Sequence, residues 1–318
     1  MPLVLALLSG CASINLVPTQ APILRLEEIH DLGATRVEFD PAGKRMATGG
    51  YRGEVYIWSV PEGKRLASLE KHDGMLLGMV WLNEAQLVTG AEDGLIIIWD
   101  VNKQRVLLQK KTKPVTAMTI IPRAGVLLTG HTDGKVRSWS LPELKLLKTY
   151  SSKGRINSIA VNPEQTLVAA ATDTSKVFIL DTNLKYIKDL PTRDKNAQEL
   201  HFSPDGKQLA AGTWFELYFW DLSDGKLTVK ETEHIGAIIS LDYTPDGSKL
   251  VTLGRHTDAN IRLRDIKKQK MERRLRAHNL CGYSIRISPD GKYVASASED
   301  SSVRLYDIST PYNPTWGE

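Results

Sequence analysis

Residues 197–231, AQELHFSPDGKQLAAGTWFELYFWDLSDGKLTVKE, read as four short strands joined by tight turns. Ala197 to Ser203 alternates between apolar and polar side chains. Pro204-Asp205-Gly206-Lys207 then forms a turn, because proline presets φ at the second turn position and glycine accepts a positive φ. Gln208 to Gly212 is a second strand and Glu216 to Leu222 a third. Ser223-Asp224-Gly225 turns the chain into an outer strand, Lys226 to Glu231. β-Branched and aromatic residues fill the strands, and no helical period is sustained, so the class is all-β.

The unit recurs along the chain. Trp58-Ser59, Trp99-Asp100, Trp139-Ser140, Leu180-Asp181, Trp220-Asp221, Arg264-Asp265 and Tyr306-Asp307 occupy equivalent places, 40 to 44 residues apart. A second marker, Pro41, Leu82, Pro122, Pro163, Pro204, Pro245 and Pro289, keeps the same period. Two markers with one period of this length indicate propeller blades. The reading is a seven-bladed β-propeller of four-stranded antiparallel blades over residues 23–308. After Ile308 only the tail 309–318 remains, with Pro311 and Pro314, so the seventh blade lacks an outer strand. Ile23 to Ile29 alternates and leads into His30 as Leu66 to Lys71 leads into His72. This amino-terminal stretch is therefore expected to close the ring as the outer strand of blade seven, covering an edge that would otherwise pair with other chains.

With its Trp-Asp ends, Ser-Pro-Asp-Gly turns (Ser203 to Gly206, Ser288 to Gly291) and His near each blade's start, the chain resembles the WD-repeat family. The resemblance implies a hydrogen-bond chain within each blade, from strand-three Trp through strand-two Ser or Thr to a loop His and a turn Asp. Indole and imidazole can be buried when their polar ends are satisfied. Blade two holds the one complete set, His72, Thr89, Asp93 and Trp99. Blade three keeps Thr129, Asp133 and Trp139 but lacks the His. Blade seven has His278, Ser296 and Asp300 with Tyr306, and blades four and five are degenerate, with Leu180 in the Trp place and Trp214 in the Asp place. These residues read as structural rather than catalytic.

The amino terminus reads separately from the fold. Leu3 to Leu8 is a short apolar core and Leu8-Ser9-Gly10-Cys11 resembles the lipobox of bacterial lipoproteins, although Met1-Pro2 supplies none of the usual basic residues. The resemblance implies removal of residues 1–10, a lipid on the Cys11 sulfur and a tether over residues 11–22. Ala12 after the cysteine favours the outer membrane, so the expected location is the bacterial cell envelope, on the periplasmic side. A false lipobox on a cytosolic scaffold is the alternative. The second cysteine, Cys281, reads as a small core or loop residue.

The formal net charge of +4, from 41 basic and 37 acidic side chains, does not imply nucleic acid. No run of 18 apolar residues occurs, so a lipid would be the only membrane attachment. Phosphate-loop, nucleophile-elbow and zinc spacings are absent, so no cofactor, metal site or catalytic residue is expected. The rival, a lactonase-like or quinoprotein-like enzyme, would need acidic, Asn or His residues at the starts of several inner strands. Those starts supply one Asn (Asn157) and one Glu (Glu199). The expectation is a monomeric scaffold for protein partners. In this family ligands meet the face of the loops between outer and inner strands. There Lys111, Lys113, Lys153, Arg155, Arg193 and Lys195 would steer an acidic partner. Trp214 and Phe215, beside Arg255 and His256, form a second candidate patch of hot-spot residue types.

Overall fold

The computed structural model describes residues 19–193, 196–255, 258–276 and 278–311. Seven antiparallel sheets follow one another along the chain. Blade two is typical, with strands Leu76–Asn83, Gln86–Ala91, Leu95–Asp100 and Arg105–Lys111, innermost to outermost. Blade one runs from Ala34–Phe39 to Arg65–Leu69, blade three from Val115–Ile121 to Leu146–Ser151, and blade four from Ile156–Val161 to Tyr186–Leu190. Blade five spans Leu200–Phe202 to Leu227–Glu231 and blade six Ile238–Tyr243 to Lys270–Leu275. Blade seven comprises Gly282–Ile287, Tyr293–Ser298 and Val303–Asp307. The turns are those that the sequence requires. In Ser203 to Gly206 the glycine sits at φ +70°, its N–H donates to the Ser203 carbonyl (2.9 Å), and Ser203 Oγ donates to Asp205 Oδ1 (2.6 Å).

Ring closure follows the expected scheme with a shorter strand. Leu24–Leu26 pairs antiparallel with Val303–Asp307, Leu24 opposite Leu305. Ile23 N–H and Ile29 N–H extend the contact by donating to Leu305 O and Ser301 O. The inner strand of blade seven packs on that of blade one. One element was not foreseen: Thr19–Gln20, inside the stretch expected as a tether, pairs in parallel with Lys270–Leu275 and adds a fifth strand to blade six. Gln20 is buried there, its amide donating to Asp307 O (2.6 Å) and its carbonyl accepting from Arg273 Nη1 (3.0 Å). An alternating pattern cannot announce a two-residue strand.

The core lies between blades. Seven apolar clusters are found among the described residues, each made by two neighbouring sheets. Ile57, Leu69, Leu87 and Trp99 join blades one and two, and Met46, Trp58, Tyr293 and Leu305 join blades seven and one. A face that is hydrophobic on alternate residues must be buried against another sheet, and a ring gives every blade two such neighbours.

Candidate interaction surfaces and central channel

The polar chain expected within blade two is present. Trp99 Nε1 donates to Thr89 Oγ1 (2.8 Å), that oxygen bonds His72 Nε2 (2.7 Å), and His72 Nδ1 lies 2.9 Å from Asp93 Oδ2. Indole can only donate and carboxylate only accept. With a neutral imidazole the threonine proton therefore points to Nε2, and Nδ1–H to Asp93. Burial favours the neutral acid at Asp93, but the His72 bond and the N–H groups of Leu95 and Asp73 outweigh it and hold its pKa below the usual range.

Blade three corrects the expectation that its chain lacks a histidine. His131, at the end of the second strand, bonds Thr129 Oγ1 through Nε2 (2.7 Å) while Nδ1 donates to Lys113 O (2.9 Å). The imidazole reaches the same threonine from the strand instead of from the preceding loop. That frees Asp133 to pair with Arg137 at 2.6 Å. Burial, with Arg137 nearby, pushes His131 down to about 4, so it is neutral at pH 7. Blades one and six also build chains that the sequence reading did not single out. His30, Thr48 and Trp58 use Glu54 in place of Asp, and His234, Thr252 and Asp258 add the buried Arg262. Blade four replaces the chain by apolar packing of Leu180 and Phe178 over Ala170. In blade five the indole of Trp220 donates instead to Pro191 O at 2.7 Å.

On the loop face Lys111, Lys113, Lys153, Arg155 and Arg193 are exposed at the ends of three adjacent outer strands, and Lys195 lies outside the described residues. Lys111 Nζ donates to Asp93 O, and Arg155 stands at the mouth of the central channel. Trp214 and Phe215 are exposed on a firmly held loop. Trp214 bridges to Ala237, Phe215 N–H donates to Gly236 O, and Phe215 O accepts from Thr232 N–H and Oγ1. Phe215 sits at φ +67°, a conformation that a bulky side chain keeps only when its surroundings impose it. Arg255 does not offer a free cation beside this pair. Its guanidinium donates to Tyr283 OH and Glu299 Oε1 and stacks on the Tyr283 ring at 4.6 Å. His256 lies outside the described residues.

The inner strands enclose a cavity of about 680 Å³. Here the structure brings together charges that the sequence reading overlooked, because it weighed only the first residues of each inner strand. The residues two further along the same face than Arg36, Gly78, Ala117, Ser158, Glu199, Ser240 and Ser284 are Glu38, Val80, Thr119, Ala160, His201, Asp242 and Arg286. Arg286 is the hinge of the group, donating through Nε to Glu38 (2.7 Å) and through Nη2 to Glu199 (2.8 Å). His201 lies 3.3 Å from Asp242 and 3.8 Å from Glu199. The second Glu199 oxygen accepts from Ser240 Oγ and Leu241 N–H. Arg36 caps the backbone, donating to Leu77 O and Thr35 O.

Burial disfavours charge on Arg36, Glu38, Glu199, His201 and Arg286. It prevails at Arg36, which is lowered, and Glu38, which is raised, while pairing prevails at the other three. Arg286 and His201 hold Glu199 well below the carboxylate range, and Glu199 with Glu38 raises Arg286. Asp242 and Glu199 raise His201 to about 9, so it is protonated at pH 7. Arg36, Arg286 and the His201 imidazolium thus stand among the carboxyl groups of Glu38, Glu199 and Asp242. This is a girdle rather than a metal cage: among the described residues no group of three His, Cys, Asp or Glu could hold an ion.

Comparison with known proteins agrees with this architecture. The family model of the WD domain, G-beta repeat, matches residues 24–59, 63–100 and 269–307. Each match begins on the outer strand of one blade and ends on the third strand of the next. The chain is 25% identical over 81% of its length to periodic tryptophan protein 2 of Arabidopsis thaliana. It is 24% identical over 84% to the transcriptional corepressor LEUNIG_HOMOLOG, and 26% identical over 88% to autophagy-related protein 16 of the same plant. It spans 31%, 34% and 48% of the length of these relatives. The chain thus carries WD repeats in a seven-bladed propeller.

Proposed function

We propose that the protein is a non-catalytic scaffold whose propeller presents its loop face to protein partners. The observation that carries this reading is the pair Trp214 and Phe215, large, exposed and fixed in place by backbone hydrogen bonds. A pre-organised aromatic anchor loses little conformational entropy on binding, which is why such residues dominate hot spots. The exposed cations Lys111, Lys113, Lys153 and Arg193 on the same face would speed the approach of an acidic partner. The WD-repeat relatives, among them a corepressor and an autophagy protein, support an interaction role.

The finer reading places this scaffold in a bacterial cell envelope, anchored by lipid on Cys11 and facing the periplasm from the outer membrane. Its support is the Leu-Ser-Gly-Cys stretch at residues 8–11, which lies outside the described residues. Two acyl signals anchor a protein stably where one does not.

One experiment addresses both parts. The full chain is expressed in a bacterium, membranes are isolated, and partners are captured and identified by mass spectrometry for the parent, Trp214→Ala with Phe215→Ala, and Cys11→Ser. The scaffold reading expects partners held by the parent and lost by the aromatic double variant at unchanged melting temperature. Identical partner sets for both would overturn it. The envelope reading expects Cys11→Ser to leave the membrane fraction, and a variant that still sediments with membranes sinks it.

A further inference from the structure

The outer strands of blades one to four share an irregularity. In each, one residue is skipped by the ladder to the third strand: Leu66, Leu107, Leu147 and Ile187. A bulge leaves its extra residue unpaired and turned away from the sheet. All four are aliphatic, 40 or 41 residues apart, and exposed at 44%, 40%, 48% and 47%. Leu108, Leu146 and Tyr186 are exposed beside them, and Tyr150 stacks on Tyr186 across blades three and four. The equivalent bulge in blade six holds Glu272, paired with Lys249 and Arg273, so the position does not itself require an apolar residue.

Basic residues bracket the aliphatic step in Lys145-Leu146-Leu147-Lys148 and Lys185-Tyr186-Ile187-Lys188, and precede it in Lys64-Arg65-Leu66 and Arg105-Val106-Leu107-Leu108. Segments 101–113, 141–155 and 182–193 hold twelve Lys and Arg against two acids, Glu143 and Asp189. That is +10 in a chain of net +4, so the remainder of the protein is acidic. Lys110, Lys145, Lys148, Lys185 and Lys188 have no carboxylate within ion-pair distance among the described residues. In blades two to four the exposed aliphatics are set in one sign of charge, and Leu66 of blade one continues the run in a mixed setting with Arg65 and Glu70. Such a run is unlike the mixed surface that keeps a protein monomeric and inert.

From this we infer that the rim of blades one to four docks an extended acidic segment of a partner protein, studded with apolar residues. Bulges and lysines are the features that block strand addition at a sheet edge, so recognition runs through side chains rather than backbone pairing. The repeat follows a convex rim around four successive blades. A planar bilayer can meet only neighbouring blades of such a rim, and a nucleic acid has no use for a file of leucines. A flexible chain can follow the curve, seating one apolar side chain per blade between carboxylates that meet the lysines. Several weak equivalent sites on one scaffold then act together through effective concentration. This goes beyond the loop-face reading, because the surface is a different one.

The probes are fluorescein-labelled peptides carrying one, two or three copies of an Asp-Glu-Leu-Phe-Glu-Asp unit on Gly-Ser linkers, measured by anisotropy with the full chain. The expected Kd falls by at least about tenfold from one unit to three, as multivalency requires. Lys145→Glu with Lys148→Glu, Lys185→Glu and Lys188→Glu weakens the three-unit peptide by at least about tenfold, through charge reversal. Leu147→Ser with Ile187→Ser weakens it severalfold, and both variants keep the parental melting temperature, since all six side chains are on the surface. Trp214→Ala with Phe215→Ala leaves peptide binding unchanged, so failure of the loop-face reading and failure of this one are distinguishable. Polyglutamate that binds as tightly as the three-unit peptide, or a Kd independent of unit number, overturns the inference. So does preferential binding to phosphatidylglycerol vesicles over phosphatidylcholine ones, or to a single-stranded oligonucleotide, with no peptide binding.

Discussion

Blades five, six, seven and one place charged side chains in the channel at a strand position where blades two, three and four place none. The first group supplies His201, Asp242, Arg286 and Glu38 to the channel, where the second supplies Val80, Thr119 and Ala160 at the same strand position. On the rim, blades two to four carry Lys110, Lys145, Lys148, Lys185 and Lys188 without a carboxylate in ion-pair distance among the described residues, and the outer strand of blade six is basic as well. Both groups keep the same ladders and the same apolar interfaces, so charge placement is independent of the blade template. The two surfaces differ in what they demand. Inside a channel a charge loses part of its hydration and must be paired, and Arg286, Glu38, Glu199, His201 and Asp242 are. On a rim water solvates each lysine, so nothing in the fold asks for them.

The largest effect expected belongs to an interface between blades. Trp99→Ala removes a buried indole and strands the hydroxyl of Thr89, at about 3–5 kcal/mol, with a further cost of about 1–3 kcal/mol if that group finds no partner. Arg286→Ala, which leaves Glu38 and Glu199 facing each other, should cost about 2–3 kcal/mol, less than a fully enclosed pair because the channel admits water. Urea unfolding checks the order. A larger loss for Arg286→Ala would mean that the girdle, not the interfaces, holds the ring closed.

A smaller contrast separates blades two and four. Asp93→Ala removes the acceptor for His72 and for the N–H groups of Asp73 and Leu95, and should destabilise by about 1–3 kcal/mol. Thr174→Ala, at the matched turn of blade four, should stay within about 0.5 kcal/mol. Equal denaturation midpoints for these variants would show that the polar chain of blade two contributes nothing.

The pH dependence should divide the same two halves. His201 is raised to about 9, so its contribution is complete below pH 6.5 and is lost as pH rises through 9. His131 is lowered to about 4, so its contribution is present above pH 6.5 and disappears as pH falls toward 4. Melting temperatures recorded across both windows should show His201→Gln flattening the alkaline limb and His131→Gln easing the acid one. A variant that alters the opposite limb would break the assignment. The smallest effect is expected on the rim, where Lys148→Ala should leave stability within about 0.5 kcal/mol of the parent.

Much of this was legible in one dimension. Residues 197–231 gave the four-strand unit, and the Trp-Asp and Pro markers gave the number of blades. The amino-terminal alternation at Ile23 to Ile29 gave the closing strand, since an edge without a partner has to be covered. The complete chain His72–Thr89–Asp93–Trp99 could be named residue by residue because its members recur at fixed places. His131 escaped this reasoning because it stands in a strand position rather than at the loop position, and only its ring orientation shows that it reaches Thr129. Glu54 escaped because it stands two residues beyond the turn position that Asp93 holds in blade two, where blade one has Arg52.

What the amino-acid sequence determined by itself is local. Period-two alternation, turn residues and a 40-residue repeat act over a few neighbours, and each blade obeys them alone. What only the tertiary structure decided are the meetings across the ring. Arg286 joins Glu38, 248 positions away, and Glu199, 87 positions away, because closure sets blade seven beside blade one and turns it toward blade five across the channel. The strand pattern says which side chains leave the sheet plane. Which of those share an enclosed channel, and must therefore balance charge, depends on where seven separate sheets stand once their apolar faces are buried against one another.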